Sequence, residues 1–209
     1  MKFGICSLMA AILLAGALMA RAADKPADTK AAEKGAPVDS LGMLETAVAR
    51  DSSKFENLFD LGLMYLDRDR PLEASRVLAR ANQLRPKDVR VLVNLGAAYD
   101  AAGRTGEAQE RYRKALEMSP GDSVASCRLA SSLYAQGKQA DAIDLLREVI
   151  REKPRSHCAY FTMGVAFADA GIYREAIRMW KKVVEIAPGS AEAASARESI
   201  EVLEKFVGL

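Results

Sequence analysis

Cys127, Cys158, His157 and Met163 carry the softest ligand and redox chemistry in this chain. Two cysteines can close a disulfide, hold a soft metal as thiolates, or fill space as small apolar side chains. A disulfide needs an oxidising compartment and a Cα separation of roughly 4.4–6.8 Å. That geometry is demanding, so two separate thiols, buried or facing a groove, are the plainer expectation. His157 is the only histidine, and no compact ligand motif joins it to the two cysteines and Met163. It is expected to sit exposed at a helix start, and no cofactor or metal is expected.

Catalytic signatures are absent as well. The chain has no G-x-x-x-x-G-K-[ST], no G-x-S-x-G and no H-E-x-x-H. One histidine leaves little acid–base chemistry near neutral pH, with paired carboxylates as the remaining route. The sequence is therefore read as that of a non-enzyme.

What must position these residues is a pattern with a period of 34, visible in the windows 55–88, 89–122, 123–156 and 157–190. The first window carries Leu58, Leu61, Gly62, Tyr65, Ala74, Leu78, Ala81 and Pro86. The second carries Leu92, Leu95, Gly96, Tyr99, Ala108, Tyr112, Ala115 and Pro120. The third is looser, with Leu129, Ala130, Leu133, Ala142, Leu146, Val149 and Pro154, and with Ser126 in place of a large side chain. The fourth returns to type with Tyr160, Met163, Gly164, Phe167, Ala176, Trp180, Val183 and Pro188.

Each window reads as two helices. Leu92, Leu95, Gly96 and Tyr99 fall at i, i+3, i+4 and i+7, and so share one helical face. Ala108, Tyr112 and Ala115 share a face on a second helix. Gly103 is placed to end the first helix in the left-handed conformation, and Thr105 to cap the next. Gly137 and Gly171 recur at the same point, whereas the first window has Asp69 followed by Pro71. The prolines lack the amide that a continuing helix needs, so each closes its second helix.

The pattern W-x2-L-G-x2-Y, then A-x3-F, then P, repeated every 34 residues, resembles the tetratricopeptide repeat (TPR) family. The resemblance implies an all-α fold, a right-handed α-solenoid of helix-turn-helix repeats. Leu44 and Ala47 lie one period before Leu78 and Ala81, so an N-terminal half-repeat is expected ahead of the first full one. Gly189-Ser190 should cap a final helix, 191–206, with Ala193, Ala196, Ile200, Leu203 and Val207 inward and Glu192, Arg197, Glu198, Glu201, Glu204 and Lys205 outward. Such an end helix would solvate the array.

In the family, first helices line a concave groove that holds an extended or helical peptide. By phase, the groove residues are Phe59, Leu63 and Leu66, then Val93, Asn94 and Ala97 with Asp100 beside them. The later windows contribute Val124, Cys127, Arg128, Ser131 and Tyr134, then Phe161 and Val165 with Ala168. Only Asn94 and Arg128 match the Lys/Asn/Asn/Lys/Arg set with which some relatives clamp chaperone carboxylate tails. An apolar or amphipathic segment of a partner protein is the expected ligand. The bland alternative is a groove filled by this chain's own linker or narrowed by curvature. Phe59 and Phe161 are expected to grip the partner without being needed for folding.

The N-terminus stands apart. Lys2 precedes a largely apolar run, Phe3 to Ala20, and Ala20-Arg21-Ala22 forms an A-x-A pattern, together resembling a bacterial signal peptide cut after Ala22. Left uncut, the run is nearly long enough for a membrane anchor. Cys6 lies too near the start, with the apolar run after it, to resemble a lipoprotein acceptor. Taking Lys2 and Arg21 from the 30 basic residues leaves as many as the 28 acidic ones, so no general attraction to nucleic acid or anionic lipid follows. The expected organisation is a signal peptide over 1–22, a flexible linker over 23–37 and a half-repeat helix over 38–54, followed by the four repeats and a capping helix over 191–209. The function expected is a scaffold or assembly chaperone in the periplasm or secreted medium, anchored to the inner membrane only if the leader stays. The alternative is a redox-, metal- or haem-handling accessory of envelope cytochrome assembly.

Overall fold

The computed structural model describes residues 40–208, so the leader, the linker and the first two residues of the expected half-repeat lie outside the described residues. Ten helices and no strands occur among them. Two compact units divide the chain at residue 121/122, and each is a stack of helix pairs.

In the N-terminal unit α1 (Ser40–Arg50) packs on α2 (Phe55–Asp67), which pairs with α3 (Pro71–Leu84). Next come α4 (Val89–Ala101) and α5 (Thr105–Met118). Within this unit α3 also packs on the first helix that follows it, α4. The core takes in Leu58, Leu61, Tyr65, Ala74, Leu78 and Ala81, with Leu41 of α1 closing it and Leu44 and Val48 packed alongside. In α4 and α5, Leu92, Ala108, Tyr112 and Ala115 are fully enclosed.

The pair interiors need one small residue. A Cβ built on Gly96 would lie 2.5 Å from the Tyr112 ring, and one on Gly62 2.5 Å from Leu78. Gly164 meets the Trp180 indole in the same way, and only the third pair uses alanine, Ala130, there. Tight approach at the first helix is thus matched to the large side chain of the second.

The C-terminal unit holds α6 (Ser123–Ala135), α7 (Gln139–Glu152), α8 (His157–Asp169), α9 (Tyr173–Ile186) and α10 (Ala191–Val207). Trp180, Ile177, Val183, Phe161, Ala193, Ala196 and Leu203 form its core. Ser190 caps α10 by accepting from the Ala193 amide at 3.1 Å, and Gly208 ends it in the left-handed region.

Second helices stop at Leu84, Met118, Glu152 and Ile186, two residues before each proline. The capping of α5 differs from the reading of its sequence. Arg104, not Thr105, is the N-cap residue, and Thr105 is already helical. Arg104 instead binds Glu107 in the first turn while its guanidinium lies 4.4 Å from the Tyr99 ring centre. One period earlier Arg70, Glu73 and Tyr65 form the same knot, with Tyr65 Oη also donating to Glu45 of α1 at 2.8 Å.

Candidate functional site: the first-helix faces

Each unit is described on its own. In the N-terminal unit, Phe55 and Phe59 stack with ring centres 5.9 Å apart. Arg85 lies 3.7 Å over Phe55 and Arg90 5.2 Å over Phe59, a cation–π arrangement that shields both rings. Arg85 is held by Glu56 at 2.9 Å and Arg90 by Asp88 at 2.8 Å. The Arg90 guanidinium hydrogen-bonded to Asp88 holds that carboxyl below its usual range. Asp60 moves the other way, raised by burial and by the neighbouring Glu56.

Phe59 is only 7% exposed and shares its core cluster with Leu66, and Val93 of α4 is buried as well, so these three belong to the floor of the face. Leu63, Asn94 and Ala97 stay partly open. The Asn94 amide donates to the Arg90 carbonyl at 2.8 Å, fixing its orientation along the helix. Asp100 accepts from Tyr112 Oη at 3.0 Å and ties α4 to α5.

In the C-terminal unit Val124 is 41% exposed, Ser131 is exposed, and Arg128 and Val165 are partly open. Phe161 is 8% exposed and belongs to the core. Truncating Phe59 or Phe161 would therefore remove core packing as well as any ligand contact. The Phe161 carbonyl also accepts from Trp180 Nε1 at 3.3 Å.

The two cysteines are joined, contrary to the plainer expectation of separate thiols. Cys127 of α6 and Cys158 of α8 form a disulfide with Cα atoms 6.2 Å apart. The repeat brings the fifth residue of one first helix beside the second residue of the next, within the range a disulfide requires. Ser156 Oγ lies 3.3 Å from Cys158 Sγ. At the other end of α6, Tyr134 Oη donates toward the Ala166 carbonyl (3.2 Å) and Asp169 Oδ2 (2.9 Å), both presented by α8. Burial, with Asp169 accepting its hydrogen bond, pushes the Tyr134 phenol up to about 12.

His157 is half-buried, with Nε2 3.9 Å from Glu192 Oε2. Glu192, expected to point outward, is 6% exposed, and its Oε2 has no hydrogen-bond partner. The signal was present in the phase: Glu192 lies one period after Cys158, on the same line of the first helices. The arginine–aromatic pairs were missed because no residue pattern marks them.

Among the described residues, no group of three or more His, Cys, Asp or Glu side chains stands close enough to hold a metal ion. No helix among them is long and apolar enough to cross a membrane. A shallow depression on α1 is lined by Gly42, Met43, Thr46, Ala47 and Arg50.

Tetratricopeptide repeat profiles match residues 59–123, 93–157 and 159–190, more than half of the chain. No curated protein matches it in sequence. Among solved structures, that of MamA shares 23% identity with a TM-score of 0.58, covering 75% of this chain and 89% of that one. YrrB, described as a TPR protein with an unusual peptide-binding site, shares 21% with a TM-score of 0.53, covering 76% and 81%. The Cut9–Hcn1 hetero-tetramer of the APC/C shares 16% with a TM-score of 0.69, covering 81% of this chain and 34% of that one. At these identities the likeness is one of fold.

Proposed function

Because this chain belongs to the tetratricopeptide repeat family, we propose that it is a non-catalytic interaction scaffold or assembly chaperone of the bacterial cell envelope, receiving an apolar or amphipathic protein segment on its first-helix faces. The observation that carries the reading is the state of those faces. Apolar floors in both units are left partly open at Leu63, Ala97, Val124 and Val165, not covered by the other described residues. Apolar surface that stays open on a packed unit is surface available to a partner. YrrB, a neighbour in fold, is described as binding peptide, which agrees with that use.

The envelope part rests on two supports of different kinds. The first is the leader-like segment 1–22. The second is the disulfide, since such bonds persist in oxidising compartments. The alternative of metal or haem handling through Cys127 and Cys158 loses its ligands here, because sulfurs bonded to each other are not thiolates.

Site-specific photo-cross-linking in intact cells tests the binding face. A cross-linking residue at Leu63 or Val165 should give protein adducts, while one at Arg147 on α7 should not. Adducts from Arg147 alone, or equally from all three, overturn the assignment. Mass measurement of the chain recovered from the envelope fraction tests the location, with Ala23 as the expected first residue. A mature chain still beginning at Met1 and found in the cytoplasm would refute that part.

A further inference from the structure

The third repeat lacks one large interior side chain that its neighbours have, and the disulfide joins it to the fourth. Ser126 occupies the site of Leu58, Leu92 and Tyr160, so one large apolar side chain is missing from the interior. Of the 14 residues of α7, only Ala142, Leu146 and Val149 are buried. Besides its packing on α7, α6 carries two ties to α8, the disulfide near one end and Tyr134 near the other.

We propose that the Cys127–Cys158 bond is a reducible clasp, opened by a dithiol, whose cleavage loosens α6 and α7 while the N-terminal unit stays packed. Cys127 is 5% exposed and Cys158 is partly open, so an incoming thiolate attacks Cys158 Sγ. The Cys127–Cys158 bond breaks, Cys127 leaves as a thiolate and takes up a proton. The second thiol of the reductant then attacks its own sulfur in the mixed disulfide and releases Cys158. Ser156 Oγ, 3.3 Å from Cys158 Sγ, is placed to donate a hydrogen bond to that leaving thiolate. In balance, two electrons and two protons pass from the dithiol to the protein, and the dithiol ends as a disulfide. Val124 and Ser131 ride on α6, so opening the clasp also remodels the face of this unit; that last step rests on the binding role proposed above.

The test uses the purified full-length chain, dithiothreitol and hydrogen exchange read by mass spectrometry. Reduction without denaturant should expose two alkylatable thiols and lower amide protection across residues 123–152 by about 100-fold or more, with reoxidation restoring it. Protection over residues 55–118 should not change. Reduction that proceeds only in denaturant, or unchanged protection over 123–152 after both thiols are freed, overturns the proposal. Equal loss over residues 55–118 also overturns it. With oxidised glutathione, the Cys127→Ser chain should form a mixed disulfide faster than the Cys158→Ser chain; the reverse order refutes attack at Cys158. A cross-linker at Val124 separates the device from the binding role. Adducts that are lost on reduction support the coupling, and adducts that persist refute it. No adducts in either state, with the exchange response intact, leave the clasp standing and count against the binding face.

Discussion

Four equivalent positions in the two units hold Leu58 and Leu92 on one side and Ser126 and Tyr160 on the other. The N-terminal unit fills its pair interiors with leucine and Tyr112, and lays Arg70, Arg85, Arg90 and Arg104 over the rings of Tyr65, Phe55, Phe59 and Tyr99. The C-terminal unit gives up a large side chain in its first pair and replaces that packing with a covalent bond and a tyrosine tie. Both solutions satisfy one 34-residue template. The difference teaches that a repeat position demands a net attraction between neighbouring helices, not a particular residue. Burial holds under any redox condition, whereas a disulfide acts on the unfolded chain and only while oxidised.

The largest effect should come from removing that bond. With a sequence separation of 31 between its ends, the disulfide should contribute about 3–4 kcal/mol through the entropy it denies the unfolded chain. Equilibrium denaturation of the Cys127→Ala/Cys158→Ala chain should show that loss in the transition of residues 122–208 only. An equal shift of the N-terminal unit would erase the contrast drawn here. The counterpart in the N-terminal unit is Gly96→Ala. Its new methyl group meets the Tyr112 ring at 2.5 Å, an overpacking that costs about 1–3 kcal/mol. Circular dichroism melts with and without dithiothreitol should show this variant's loss to be independent of redox state.

How much of this could be read from the residues follows from what repeats. The all-α solenoid was legible because Gly62, Gly96 and Gly164, each facing a large residue of the second helix, recur in phase with the prolines. The first-helix line was legible by the same phase, but phase does not report depth. Phe59 and Leu63 are four residues apart on one helix, yet one is buried floor and the other partly open. Glu192 shows the converse, a charge read as outward that lies buried beside His157. The disulfide was one option but not the plainer one, because its geometry is demanding. Cys127 and Cys158 are not one period apart, and their closeness depends on how α6 and α8 lie side by side. Arginine–aromatic stacking depends on rotamers, which no spacing encodes.

The tyrosine tie gives a smaller effect with its own pH signature. Tyr134→Phe should cost about 1 kcal/mol, the net value of a hydrogen bond between partly buried groups. The folded phenol titrates at about 12 against an ordinary value of 10.0, so the folded state favours the neutral form. Its contribution is complete below the unfolded value and is lost as pH rises from about 10 to about 12. Stability measured across that window should fall more steeply for the wild-type chain than for Tyr134→Phe. Parallel slopes would remove this tie from the comparison.

The smallest expected effect reverses sign and belongs to the N-terminal unit. Gly103, Gly137 and Gly171 end their first helices at φ of 76°, 80° and 77°, where a residue without Cβ is unstrained. The first pair places Asp69 at that position, with φ of 57°, and its amide bonds the Leu66 carbonyl at 3.2 Å. An aspartate tolerates the left-handed region better than most residues but still carries the clash of Cβ with the following carbonyl. Asp69→Gly should therefore stabilise the N-terminal unit by about 0.5–1 kcal/mol, less whatever contact the carboxylate makes, because glycine's greater freedom when unfolded offsets part of the relief. Gly103→Asp, the reverse change one period later, should destabilise by a similar amount in the same denaturation assay. If both substitutions lower stability, the aspartate is held by a side-chain contact that outweighs its backbone strain, and the first turn is no longer equivalent to the other three.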